Sequence, residues 1–128
     1  MHQVPLYRCY VTEQVKTAAL RAIESDHHVL GAECLAFEAE LASHTGVKHA
    51  VLGTSWTMNA YLLHLAQGLK PGDEVIVPAH ASFPTIEPLL HCGATPVFAD
   101  LDETFCLDLT EVAALVTART VGIIPVHL

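Results

Sequence analysis

The sequence predicts an α/β fold, a mostly parallel sheet with flanking helices. Short, wholly apolar runs recur along the chain, among them "HAVLG", "EVIVP", "TPVFAD" and "VGIIPV". Segments with helical spacing alternate with them, and turn signals such as "KPGD" punctuate the series. Strands that are apolar throughout are buried on both faces, as in parallel sheets built from βαβ units.

Two helices come first. "TEQVKTAALRAIES" places Val15, Ala18, Ala19, Ala22 and Ile23 at helical spacing, with Thr12 as N-cap. After Gly31, "AECLAFEAELASH" puts Cys34, Phe37 and Leu41 on one face, and Gly46 stops the helix. Then the α/β rhythm sets in. "HAVLG" reads as a buried strand and residues 57–67 as a helix. "EVIVP" is a strand, and "TIEPLLHC" a short helix with Pro88 near its start. "TPVFAD" is a strand, "TEVAALVT" a helix behind Thr110, and "VGIIPV" a last strand. No repeat, low-complexity tract or linker interrupts residues 1–128, which read as one incomplete piece of a domain. The run "IIPVHL" leaves its strand with no helix to cover it, so the expectation is the front portion of something longer.

Bulk properties narrow the function. Six Lys and Arg stand against 14 Asp and Glu, a formal charge of −8. That balance disfavours nucleic acid, whose phosphates need clustered cations. No apolar run approaches the ~20 residues that span a bilayer, so no membrane is expected either. Hydrophobic residues make up 52% of the chain and its mean hydropathy is +0.40, which suggests surface meant for other protein. Cys9, Cys34, Cys92 and Cys106 show no metal or disulfide spacing, which fits a reducing cytoplasm. His27-His28 has no Cys or acidic partner at a familiar offset, so no metal site is expected.

Ligands of parallel sheets bind outside the carboxyl ends of the strands. That rule selects Thr54-Ser55-Trp56-Thr57, then His80 to Phe83, Asp100 and His127. At the first of these corners a helix begins, and a helix N-terminus with hydroxyls can hold phosphate without Lys or Arg. Ser and Thr are also ordinary N-caps, so spacing alone leaves both readings open. Neither a Walker loop nor a GxGxxG fingerprint is present. Trp56 either lies over a flat ligand or packs beneath the helix.

The blocks "VPLYRCY", "LGAECLAFEAELASHTGVKHAV", "LKPGDEVIVPAH", "CGATPVFADLDETFCLDL" and "RTVGIIPVHL" run collinearly over nearly the whole chain. Together they resemble the N-terminal half of the DegT/DnrJ/StrS family of pyridoxal-phosphate-dependent sugar aminotransferases. The resemblance implies a truncated large domain of fold-type-I transferases, a homodimer in the full-length form, and pyridoxal 5'-phosphate as cofactor. It implies transfer of an amino group from glutamate or glutamine to a keto group on a nucleotide-sugar or cyclitol. It also implies that the first corner holds the cofactor phosphate, with Ser55, Trp56 and Thr57 where the family has Ser-Gly-Thr. A negative φ at Trp56 would keep its N–H available; a positive one would weaken phosphate binding.

Ser82 falls where the family has an aromatic residue stacked on the pyridine ring. Phe83, one position later, His80, two positions earlier, or Trp56 are the substitutes at hand. His28 falls at another position that is often aromatic. Arg8 and Tyr10 read as surface residues or as part of an acceptor pocket. In the family, the Schiff-base lysine and the aspartate that pairs with the pyridine nitrogen lie beyond this stretch. Lys48 and Lys70 precede strands and Lys16 lies among polar helix positions, so no catalytic residue is assigned. The rival reading is a non-catalytic, degenerate paralogue that serves as a dimerisation or binding module.

Overall fold

A computed structural model describes residue 5 and residues 7–127; the block "VPLYRCY" lies partly outside these. The chain divides into two compact units, residues 1–52 and 53–128.

The first unit holds α1 (Glu13–Glu24) and α2 (Ala32–Thr45). Thr12 caps α1 as expected, its Oγ1 accepting the Val15 N–H at 3.3 Å. Gly46 ends α2 in the left-handed conformation at φ 72°, where a side chain would be strained. Arg21 of α1 donates to both carboxylate oxygens of Glu33 on α2, at 2.9 and 3.1 Å. Neither helix contains a fully buried residue; on the face of Cys34, Phe37 and Leu41, Cys34 and Leu41 are half-buried and Phe37 is exposed.

The expected strand "HAVLG" does not form. Val51 is 84% exposed, and the Leu52 N–H donates to the Glu38 carboxylate at 2.8 Å. An extended segment becomes a strand only when a neighbour takes up its N–H and C=O groups. Among the described residues, none pairs with residues 49–53.

The second unit runs α3 (Trp56–Ala66), β1 (Glu74–Pro78), α4 (Phe83–His91), β2 (Thr95–Ala99), α5 (Leu109–Leu115), β3 (Thr120–Ile123). The three strands form a parallel sheet in the order β2-β1-β3. β1 is the central strand and all five of its residues are buried, which explains its unbroken apolar run. Ile76 packs with Ala99, Leu107 and Val112 on the α5 side. Val75 and Val77 pack with Leu89 on the α4 side. The central strand is therefore covered on both faces. The strand order requires this: β1 to β2 steps one way and β2 to β3 steps back, so right-handed crossovers put α4 and α5 on opposite faces.

Several boundaries shift by a few residues from the sequence expectation, β3 among them at Thr120–Ile123, and two of the shifts bear on packing and capping. α4 begins at Phe83, so Pro88 lies in its interior and is buried there, where its ring adds to the core. α5 is capped by Asp108, not Thr110. The Asp108 carboxylate accepts both the N–H and the hydroxyl of Thr110, at 2.8 and 2.6 Å, and a carboxylate is the stronger cap acceptor.

Candidate functional site: the corner at the start of α3

α3 starts abruptly. Ser55 is extended (φ −164°, ψ 164°) and its Oγ accepts the Met58 N–H at 3.2 Å. This cap uses the hydroxyl oxygen as acceptor and leaves its hydrogen free to donate. The N–H groups of Trp56 and Thr57, in the first turn, have no intrahelical acceptor. They point outward at the positive end of an 11-residue helix. Trp56 is helical and is not among the residues with positive φ, so its backbone N–H keeps the ordinary helical direction. Its side chain is 63% exposed, which rules out packing beneath the helix.

A cavity of about 440 Å³ opens beside this corner, lined by Thr54, Ser55, Thr57, Met58, Tyr61, Glu87 and His91. The structure thus brings Ser55 and Thr57 together and adds Thr54. Trp56, Ser82 and Phe83 are not in its walls. Ser82 is the N-cap of α4 without a side-chain cap bond, and Phe83 opens that helix 63% exposed.

Sequence reasoning missed Tyr61, Glu87 and His91. The Tyr61 and His91 rings meet edge to face at 5.9 Å, and His91 Nε2 lies 3.5 Å from Glu87 Oε1. The available signal was the i, i+4 spacing of Thr57 with Tyr61 and of Glu87 with His91, which puts each pair on one helix face. No cluster of three metal-ligating side chains occurs among the described residues, His27 and His28 included.

The site offers two backbone N–H groups, the hydroxyls of Thr54, Ser55, Thr57 and Tyr61 and a helix terminus as anion donors, with no lysine or arginine in the cavity wall and one carboxylate, Glu87, which lies against His91. A phosphate monoester fits that donor set.

The chain is similar to known proteins over most of its length. GDP-perosamine synthase of Caulobacter vibrioides is 39% identical over 122 residues, covering 94% of this chain and 31% of that protein. UDP-N-acetyl-3-dehydro-alpha-D-glucosamine 3-aminotransferase of Acidithiobacillus ferrooxidans is 39% identical over 117 residues, covering 91% of this chain and 32% of that protein. The solved aminotransferase of Psychrobacter cryohalolentis superposes with a TM-score of 0.84 at 34% identity, over 93% of this chain and 31% of that one. This chain spans about a third of the length of these relatives. A family model matches residues 10–128, and the chain belongs to the DegT/DnrJ/EryC1/StrS aminotransferase family.

Proposed function

We propose that this chain is the cofactor-phosphate-binding portion of a pyridoxal-phosphate-dependent aminotransferase. Its acceptor is a keto group on a nucleotide-sugar or cyclitol, and its donor is glutamate or glutamine. Family members are pyridoxal-phosphate-dependent aminotransferases. The names of relatives such as GDP-perosamine synthase support a nucleotide-sugar acceptor. The observation that carries the reading is the exposed start of α3, with its free N–H groups at Trp56 and Thr57 beside the Ser55 and Thr57 hydroxyls.

In this reading Ser55 donates its hydroxyl hydrogen to the phosphate while its oxygen keeps the helix capped. Trp56 and Thr57 donate backbone N–H groups, and Thr57 adds a hydroxyl. Phe83 and Trp56 are the exposed aromatic faces available to the pyridine ring, and the Ser82 hydroxyl is free of any cap bond. The bound cofactor supplies an electron sink that lets an amino group move between carbon skeletons. The longer protein works as a homodimer, as the family resemblance implies. Four free thiols among the described residues suit a reducing cytoplasm.

The 128 residues by themselves do not transaminate in this reading. Lys16 is paired with Glu13 at 2.6 Å on an exposed helix, and Lys70 sits in the turn before β1. Lys48 is exposed in the segment after α2. All three are exposed to solvent, whereas an imine-forming lysine is activated in a desolvated pocket. Treating the purified chain with pyridoxal phosphate and borohydride tests this by mass spectrometry. We expect no pyridoxyl-lysine, and a stoichiometric adduct on Lys16, Lys48 or Lys70 would overturn it.

A further inference from the structure

The corner is braced by a residue that the phosphate reading does not use. Asn59, the fourth residue of α3, donates its backbone N–H to the Ser55 carbonyl at 3.0 Å. Its side chain folds back over Gly53. A methyl carbon built on Gly53 would lie 1.6 Å from Asn59 Oδ1 and 2.6 Å from its Cγ. Gly53 is not among the glycines with positive φ, so the position needs glycine for space and not for backbone freedom. Asn59 therefore grips the chain on both sides of Thr54: the backbone holds Ser55 and the amide covers Gly53. This is a polar counterpart of the hydrophobic staple, in which a residue one turn into the helix packs on one just before its cap.

We propose that Asn59 is a positioning residue for the phosphate-binding corner. Its amide fixes residues 53–55 against the first turn of α3, so that the Trp56 and Thr57 N–H groups and the neighbouring hydroxyls converge before a ligand arrives. Holding donors in their bound arrangement removes an ordering cost from binding. The inference rests on the phosphate reading for its consequence, though not for its geometry.

Asn59→Ala, Gly53→Ala and the double variant test it. The atom in the way of an alanine at 53 is the far end of a side chain, so Gly53→Ala displaces the Asn59 amide without breaking the fold. Both single changes remove one contact, and their effects should not add. Affinity is read from quenching of Trp56, the sole tryptophan, by pyridoxal phosphate and by pyridoxal. Each single variant should bind pyridoxal phosphate roughly threefold more weakly, the double variant no worse, and pyridoxal should be unaffected. A roughly ninefold loss in the double variant, an equal loss of pyridoxal affinity, or an unchanged Asn59→Ala protein would overturn the proposal.

Hydrogen exchange at the Met58 amide separates the two ideas. Faster exchange in both single variants, with no further gain in the double, supports the brace even if pyridoxal phosphate does not bind, in which case the phosphate reading fails. Pyridoxal phosphate binding with unchanged exchange and affinity in Asn59→Ala rejects the brace and leaves the reading standing.

Discussion

Glu74, the first residue of the central strand, is tied to Arg119, the residue before β3. Arg119 Nε donates to Glu74 Oε1 at 2.8 Å, and Arg119 Nη2 donates to the same oxygen. Thr117 donates its hydroxyl to Glu74 Oε2 at 2.5 Å, and the Glu74 N–H donates to the Arg119 carbonyl at 2.9 Å. The carboxylate is buried while the guanidinium is mostly exposed. This cluster fixes where β3 starts alongside β1, although their sequence separation is large.

Acid should loosen that junction. The Thr117 hydroxyl first, and the Arg119 guanidinium second, hold the Glu74 carboxyl below its usual range. A depressed folded pKa stabilises the fold above the unfolded value of about 4.3, and the contribution is lost as pH falls through the lower folded value. Thermal melts should therefore fall steeply below about pH 4.5. Glu74→Gln should be less stable at pH 7 and show a flatter profile between pH 5 and 3.

Ser55 serves two purposes that substitution can separate. Ser55→Ala removes the cap and should cost about 1 kcal/mol, or roughly 4–8 °C in melting temperature. Ser55→Asp keeps a good cap and should melt near the parent, yet its negative charge should weaken pyridoxal phosphate binding more than alanine does. Circular dichroism melts and ligand titration check the two effects independently.

His64 is 9% exposed and its Nε2 has no hydrogen-bond partner. A buried polar atom left unsatisfied costs on the order of 1–3 kcal/mol. In this chain His64→Leu should raise stability by about 1 kcal/mol in urea unfolding.

The open edge of β3 should limit solubility. Val121 and Ile123 are exposed, and among the described residues β3 has a strand neighbour on one side only. Unpaired apolar edges recruit other chains. Ile123→Lys should lower light scattering on concentration and leave the melting temperature nearly unchanged, because Ile123 is not part of either core cluster.

How much of this was legible in the sequence depends on whether a segment's partner is local. β1 was readable because its apolar run matches its burial on both faces, and β2 and β3, which are half-exposed, were readable because short apolar runs alternate with helical segments. Thr12 and Gly46 were readable because capping is a matter of neighbouring residues. "HAVLG" was misread as a strand because pairing depends on a neighbour that its own sequence cannot supply. Trp56 could not be placed from composition, since exposure of one ring depends on what packs over it. The cavity wall of Tyr61, Glu87 and His91 arises from two helices meeting, and Asn59 over Gly53 from a side chain folding backward. Neither relationship leaves a motif.

The most direct test of the docking claim is an amide-resolved NMR titration of the isotopically labelled chain with pyridoxal phosphate, inorganic phosphate and pyridoxal. The two phosphate compounds should move the Trp56 and Thr57 amide resonances first and in the same direction, and pyridoxal should leave them in place. Shifts that gather elsewhere, or that pyridoxal reproduces at those two amides, would contradict the account.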